Sequence, residues 1–369
     1  MEVRALSLDD IPAVNQLHRD VWWPERSTEG WQWLMNNPAT LEIGSPAGLV
    51  LQDAQGEVSA FLGSFTQKFW QGDQMSYASS GFSIIVPPAV RGGSRALLPA
   101  FLSLPDLQAH YTLNCNQLSS SIYRKFDMIA WPPKTHDLKL SWVTRPFACA
   151  AARGLRELVA RKPQAAHSLG ERLLPRRSIF DPSRLGTGIE IVEDLSDDGD
   201  YAAYWQALRA EGRFMADRSP AMLKWRFADP DLTQPIVLIA ARREGRIEAH
   251  AMAMMTKYSS IETATLEILD LDGLSGSRDL IPDLVNSLIQ LAGPLGAAKL
   301  RLQALSERLY NDLGDVGQKA RHEGGYGHCH FLMAPDFTGH HSWQPTPFDG
   351  DYSICWRPMP IDEAQKRVA

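Results

Sequence analysis

Arg91-Gly92-Gly93-Ser94-Arg95-Ala96 follows the apolar run Phe82-Ser83-Ile84-Ile85-Val86, closed by Pro87-Pro88, and precedes a helical run from Leu97 to Leu102. A small-residue turn between a strand and a helix leaves several backbone N–H groups pointing one way. With the helix dipole behind them, they suit a pyrophosphate. Larger side chains would hold phosphates off the backbone. Tyr111-Thr-Leu-Asn-Cys115 reads as the next strand, and the helix expected over Asn116 to Phe126 carries Tyr123. The elements needed to position these groups are therefore strand, glycine turn, helix, strand, helix, in that order.

Composition bounds the class. A chain of 369 residues is too long for one core, so two domains are expected. Apolar content of 44% and charged content of 22% are globular values. No apolar run approaches the roughly 18 residues that span a bilayer, and the N-terminus lacks a signal-peptide pattern. Cys115, Cys149, Cys329 and Cys355 have neither metal-site nor disulfide spacing, which suits a reducing cytoplasm. A net charge of −6 argues against bulk nucleic-acid binding. The charge is uneven, however. Residues 134–178 hold ten Lys and Arg against three Asp and Glu, a local +7 that leaves −13 on the rest.

The chain repeats itself. Glu2 to Leu6, the acidic turn Asp9-Asp10 and a helix to Trp22 match Ile189 to Glu193, Asp197-Asp198 and a helix to Leu208. Trp33-Leu-Met-Asn-Asn-Pro38 matches Trp225-Arg-Phe-Ala-Asp-Pro230 at the same spacing. A hairpin signal follows in each copy, turning at Gly56 and at Gly245. In the second copy the strand from Thr263 to Leu271 runs into Asp272-Gly-Leu-Ser-Gly-Ser-Arg278 and lacks the phosphate-loop pattern, so one nucleotide site is expected, in the first copy.

Residues 1–132 resemble the acyl-CoA-binding core of the GNAT superfamily of N-acyltransferases. Arg91, Ser94 and Ala96 occupy the fixed positions of that family's Arg/Gln-x-x-Gly-x-Gly/Ala loop, with Ser94 in place of glycine. Asn116, Ser119, Ile122, Tyr123 and Lys125 fall in register with its Asn-x-x-Ala-x-x-Leu-Tyr-x-Lys segment, while Asp127 and Met128 replace the closing Gly-Phe. The resemblance implies an α/β fold of two tandem GNAT-like domains, each a mixed, mostly antiparallel central sheet flanked by helices. The expected divisions are 1–132 for the acyl-CoA domain, 133–187 for a basic amphipathic connector, 188–337 for a degenerate copy and 338–369 for a C-terminal extension. It also implies acyl-CoA as co-substrate, held by Arg91, Gly92, Gly93, Ser94, Arg95 and Ala96, with Asn116 touching the pantetheine or a structural water. A backbone N–H of Ile85 or Val86 would polarise the thioester carbonyl. Tyr123 would protonate the departing sulfur, its phenol being protonated at neutral pH with an ordinary pKa of about 10.

An amine attacking a thioester must also lose a proton. The glutamate that many family members place early on the strand before the loop is absent, since the chain reads Tyr77-Ala-Ser-Ser-Gly-Phe82 there. Glu267, Asp270 and His250 of the second copy are the candidates that could reach the cleft. Cys115 reads as a packed strand cysteine. His328 and His330 would share a strand face, but no third ligand completes a set at usual spacing, so no metal is expected.

Trp22, Trp23, Trp31, Trp33 and Trp70 could wall an apolar pocket, and core packing accounts for about half of them. In the connector, Phe147, Ala151, Leu155, Leu158 and Val159 share one helical face, with Arg153, Arg156 and Arg161 opposite. That pattern suits either an anionic membrane surface or docking on a neighbouring domain. The reading is a cytoplasmic acyl-CoA N-acyltransferase, with a long-chain donor and a lipid amine such as a sphingoid base, peripheral at the inner face of a membrane. A small-substrate acetyltransferase and a non-catalytic scaffold of the same fold are the alternatives.

Overall fold

The computed structural model describes residues 1–355 except 22, 91, 160, 175–181, 233, 258, 325, 326 and 336. Along the chain run β1 (Glu2–Ala5), β2 (Gly48–Gln52), β3 (Val58–Gln71), β4 (Gln74–Ile85), β5 (Ala109–Cys115), β6 (Ile129–Ala130), β7 (Lys139–Val143) and β8 (Ile189–Ile191). They are followed by β9 (Phe214–Ala216), β10 (Ile236–Arg243), β11 (Arg246–Thr256), β12 (Thr265–Gly273), β13 (Lys299–Gln303), β14 (Arg321–Glu323) and β15 (His328–Met333). One eight-stranded sheet has the order β1-β2-β3-β4-β5-β15-β6, with β9 on β3. A seven-stranded sheet has the order β14-β7-β13-β12-β11-β10-β8.

Each sheet is antiparallel apart from one parallel pair, β4 with β5 and β12 with β13. A parallel pair needs a crossover, and helices Gly93–Leu102 and Ile281–Ala292 supply it. The hairpins follow from their turns. Gly72 has φ +60 between β3 and β4, and Glu244 and Gly245 have φ +51 and +81 between β10 and β11.

The expected divisions need a correction. β7, read as part of the connector, pairs with β13 in the second sheet, and β15, read as part of the second copy, pairs with β5 in the first. The first half thus gives the second sheet one strand and receives two, since β9 also pairs with β3. The exchange covers the edges that β5 and β13 would otherwise expose. Strand composition identifies a strand without saying which sheet it joins.

The repeat is built around a common seam. Trp33 and Trp225, equivalent in the two copies, stack on each other with centroids 4.0 Å apart. Residue meeting equivalent residue is what a pseudo-twofold axis requires. One core cluster draws Phe69, Tyr111 and Leu113 from the first half and Tyr204, Met252 and Leu269 from the second. Beside the seam, Arg26 and Asp229 form a buried ion pair at 2.8 Å.

In the connector, helices Pro146–Val159 and Pro163–Leu173 pack together. Ala152, Leu155 and Ala166 bury against Leu174 and Ile261, with Ala151, Leu158 and Val159 partly buried around them. Arg156 pairs with Glu262 at 2.9 Å. Most of the apolar face is therefore covered by the second connector helix, with Ile261 of the second half closing it. Phe147, at 91% exposure, stays outside.

Candidate functional site

β4 and β5 pair over three residues, Ala78↔Ala109 to Ser80↔Tyr111, and then diverge although both strands continue. β4 is bulged in the same stretch. Its register with β3 passes from Phe82 to Ile85 while β3 advances from Gly63 to Phe61, leaving Ser83 and Ile84 without partners in the ladder. Ser83 has φ +48, a left-handed conformation that costs energy outside glycine and is common where a strand is re-aimed at a site. The gap is a cleft of about 310 Å³, counting its open mouth. It is lined by β4 from Gly81 to Ile84, by Thr112, Asn114, Cys115, Asn116 and Ser119, and by Trp23, Tyr123 and Asp351.

Tyr123 ends the helix Gln117–Tyr123, which Asn116 caps by accepting the Ser119 N–H at 2.8 Å. Burial pushes the phenol pKa above its ordinary value, and nearby Cys115 and Asp351 add to the shift. The group is a proton donor at any physiological pH. A Cβ on Gly81 would lie 3.3 Å from the Phe101 ring and in ordinary contact, 3.7 Å, with the Tyr123 hydroxyl. Burial likewise raises the Cys115 thiol, which fits packing and not nucleophilic attack.

Asp351 comes from the far end of the chain. Its carboxylate is buried, and one oxygen accepts the Cys355 thiol at 3.0 Å. The other, Oδ1, has no hydrogen-bond partner among the described residues. Burial raises its pKa to about 6. The segment is bolted to β5: Tyr352 donates to the Leu113 carbonyl at 2.6 Å, and Tyr111 and Gln67 both donate to the Asp349 carbonyl. A Cβ on Gly350 would sit 3.2 Å from Leu113. On the other side Arg218 pairs with Asp349 at 2.9 Å and with Asp270 at 2.6 Å.

The remaining sequence candidates divide. Gly92 takes φ +84 at the start of helix Gly93–Leu102, where a Cβ on Gly93 would meet Val86 at 2.9 Å. The Gly93 N–H donates to Val90 at 3.3 Å and the Arg95 N–H to Gly92 at 2.9 Å, so the loop itself uses two of the amides expected to be free. Ser94 and Ala96 are half-buried and Arg95 exposed; Arg91 lies outside the described residues. Ile85 is buried in register with Phe61, and Val86 packs in the apolar cluster behind β4. The backbone facing the cleft belongs instead to Gly81–Ile84, because the bulge turns the strand earlier than the motif spacing implies.

Glu267, Asp270 and His250 do not line the cleft. Glu267 is clamped by Arg301 at 2.9 Å. Asp270 accepts from His250 at 2.9 Å, from Arg218 and from Thr346 at 2.6 Å, while Tyr204 meets the other ring nitrogen of His250 at 2.9 Å. Although burial opposes it, the Arg218 and His250 contacts hold the Asp270 carboxyl well below the carboxylate range. These are closed structural networks.

Of the described tryptophans in question, Trp23 reaches the cleft. Trp31 is core, Trp33 stacks on Trp225, and Trp70 lies under Arg209; Trp22 lies outside the described residues. His330 bonds Ser120 at 2.8 Å. His328 instead approaches His136 and Asp137, the three offering ligand atoms within 4.8 Å of one another. Sequence spacing could not find that set, since 190 positions separate its members. Asp351 was missed for a similar reason, because Phe348-Asp-Gly-Asp-Tyr352 reads locally as a turn.

No family model matches the sequence, and none of the curated proteins does. Among solved structures, a GCN5-related N-acetyltransferase from Anabaena variabilis superposes with a TM-score of 0.51 at 13% identity, covering 90% of this chain and 72% of that one. Saccharomyces cerevisiae N-myristoyltransferase with bound myristoyl-CoA and inhibitors gives 0.55 at 9%, covering 95% and 86%. The same enzyme with myristoyl-CoA gives 0.53 at 10%, covering 95% and 84%. At such identities the likeness is one of fold: this chain has the GNAT fold, in two tandem copies.

Proposed function

From that fold, we propose that the chain is an acyl-CoA-dependent N-acyltransferase working in the cleft between β4 and β5. The observation that carries this reading is a parallel pair that opens after three residues, with a bulged strand on one side and Tyr123 on the other. A pantetheine arm could extend along the unpaired edge of β4, its diphosphate at the loop of Arg91, Gly92, Gly93, Ser94, Arg95 and Ala96 and its amides near Asn116. A backbone N–H of the bulge, at Ser83 or Ile84, would face the thioester carbonyl and stabilise the oxyanion. The amine attacks the carbonyl carbon directly, the C–S bond breaks, and Tyr123 protonates the leaving thiolate.

For the donor we favour a long acyl chain, and for the acceptor a lipid amine. Trp23 at the cleft supports an apolar partner, as do neighbours of this fold crystallised with bound myristoyl-CoA. Among the described residues no helix is long and apolar enough to cross a membrane. Contact with an anionic cytoplasmic surface would run through exposed Phe147, Leu169 and Leu173 beside Arg153, Arg156 and Arg161. Liposome flotation tests that contact, which fails if Phe147→Ser binds vesicles as wild type does.

Thermal shift with CoA, acetyl-CoA and palmitoyl-CoA tests the donor, using Ser94→Glu as the control variant. A glutamate in the first helical turn suits the dipole yet repels a diphosphate, so the fold should survive while binding is lost. A ligand at a hundred times its Kd stabilises by about 2.7 kcal/mol, which is readily seen. Stabilisation by palmitoyl-CoA beyond acetyl-CoA supports the long-chain donor. The reverse order favours a small-substrate acetyltransferase, and no response to any of the three leaves a scaffold.

A further inference from the structure

Resting on that acyl-transfer reading, we propose that Asp351 is the base that deprotonates the incoming amine, delivered into the first copy's cleft by a C-terminal segment anchored to the second copy. Asp351 is the carboxylate among the residues that line the cleft, where it faces Gly81–Ile84 of the bulge and Tyr123. A buried carboxylate oxygen without a partner is costly, and native structures seldom keep one without a use. An ammonium group entering the cleft would supply the missing donor.

The charge around Asp351 fits the role. The ionisable groups packed about it are Tyr123 and Cys115 of the first copy, Tyr111 on β5, Cys329 on β15, and Tyr352 and Cys355 of its own segment. Arg26 approaches the segment at the Ile354 carbonyl, 3.3 Å away, and Arg226 at the Ser353 hydroxyl, 3.4 Å away. Neither is bonded to the Asp351 carboxylate, in contrast to the guanidinium on Asp349. Burial with no cation on it among the described residues leaves the carboxylate basic enough to take a proton near neutrality.

The protons balance. R–NH3⁺ gives one proton to Asp351, and the resulting amine attacks the thioester carbon, forming the C–N bond. As the tetrahedral species collapses, the C–S bond breaks and Tyr123 protonates sulfur. The phenolate recovers its proton from the nitrogen, leaving a neutral amide and CoA–SH. Asp351 then releases its proton to water.

The second copy fixes where Asp351 stands. Thr346 donates to Asp270 at 2.6 Å, Arg218 bridges Asp270 and Asp349, and two residues later the chain enters the cleft. This gives the degenerate copy a positioning role without a ligand of its own.

The test is Asp351→Asn in the full chain, with myristoyl-CoA and acetyl-CoA as donors and octylamine, sphinganine and a glycine-initiated peptide as acceptor probes. Amide product is measured across pH 5–9. For wild type, kcat/KM should rise as pH passes about 6, where the carboxylate ionises. The variant should lose at least about 100-fold and this ionisation step, while its thermal response to acyl-CoA is retained. Asn is isosteric and removes a buried charge, so an undiminished melting temperature shows that the fold survived. Wild-type turnover with a variant within a few-fold of it, or a pH step that persists in the variant, overturns the base and leaves acyl transfer standing. No amide from wild type with any probe overturns acyl transfer itself, and the base with it.

Discussion

Both sheets hold a parallel pair of three registered residues, and both carry a bulge on the strand before the crossover helix, at Ser83–Ile84 in β4 and at Leu269 in β12. The surroundings are opposite. Around β12 every carboxylate on the strand meets a guanidinium: Glu267 meets Arg301, Asp270 meets Arg218, and Asp272 meets Arg213 at 3.1 Å and Arg278 at 2.5 Å. Around β4 the cleft is walled by Gly81, Ser83, Thr112 and Asn114, with one carboxylate and, among the described residues, no cation. The same backbone device serves as a stable joint where its charges are saturated and as an open site where they are not. A satisfied buried network rigidifies, whereas an unsatisfied group keeps capacity for a ligand.

Breaking the saturated side should have the largest effect. Arg218→Met strands Asp270 and Asp349 without their shared cation, and a loss of about 3–5 kcal/mol is expected in urea unfolding. The pH response follows. Because Asp270 titrates below its unfolded value, its contribution is present above about pH 4 and lost as pH falls below that, so wild type should melt lower in acid. A melting temperature flat from pH 6 to 3 would contradict this.

The open side should respond with the other sign. Asp351 titrates above its unfolded value, so ionising it costs stability, a cost absent below about pH 4 and complete above about pH 6. Asp351→Asn should therefore raise the stability at pH 8 by up to about 3 kcal/mol for a two-unit shift, seen as a higher melting temperature, and leave it nearly unchanged at pH 4. Equal shifts at both pH values would remove the distinction between the two sides.

Smaller effects sharpen the comparison. Gly81→Val fills the cleft beside Phe101 and Tyr123, and should cost about 1–3 kcal/mol while abolishing thermal stabilisation by acyl-CoA. Stabilisation equal to wild type would argue against acyl binding there. At the seam, Trp33→Leu removes the stack on Trp225 and should cost about 1 kcal/mol with no change in acyl-CoA response. An altered response would mean that the seam communicates with the cleft.

Much of this was legible locally. The strand, glycine turn and helix at Phe82–Leu102 announce themselves through apolar alternation and turn chemistry, as do the repeated Trp-to-Pro segments and the turns at Gly56 and Gly245. Tyr123 was legible because helical register ties it to Asn116, the residue that caps its helix. The stretch of β4 that lines the cleft is Gly81–Ile84 and not Ile85–Val86, because a bulge adds residues without leaving a local mark. Glu267, Asp270 and His250 proved structural because their partners, Arg301, Arg218 and Tyr204, come from elements whose proximity no spacing encodes.

By itself, then, the amino-acid sequence determined the fold class, the doubling of the chain and the strand–turn–helix that opens toward a cleft, since these depend on period, turn residues and register over a few positions. Tertiary structure alone decided that β7 and β15 trade places between the sheets, and that Asp270 is neutralised while one oxygen of Asp351 is left open among the described residues. The physical reason is that a carboxylate's chemistry is set by what surrounds it within a few ångströms, and for Asp351 those surroundings come from residues more than two hundred positions away, on β4, β5 and the helix that ends at Tyr123.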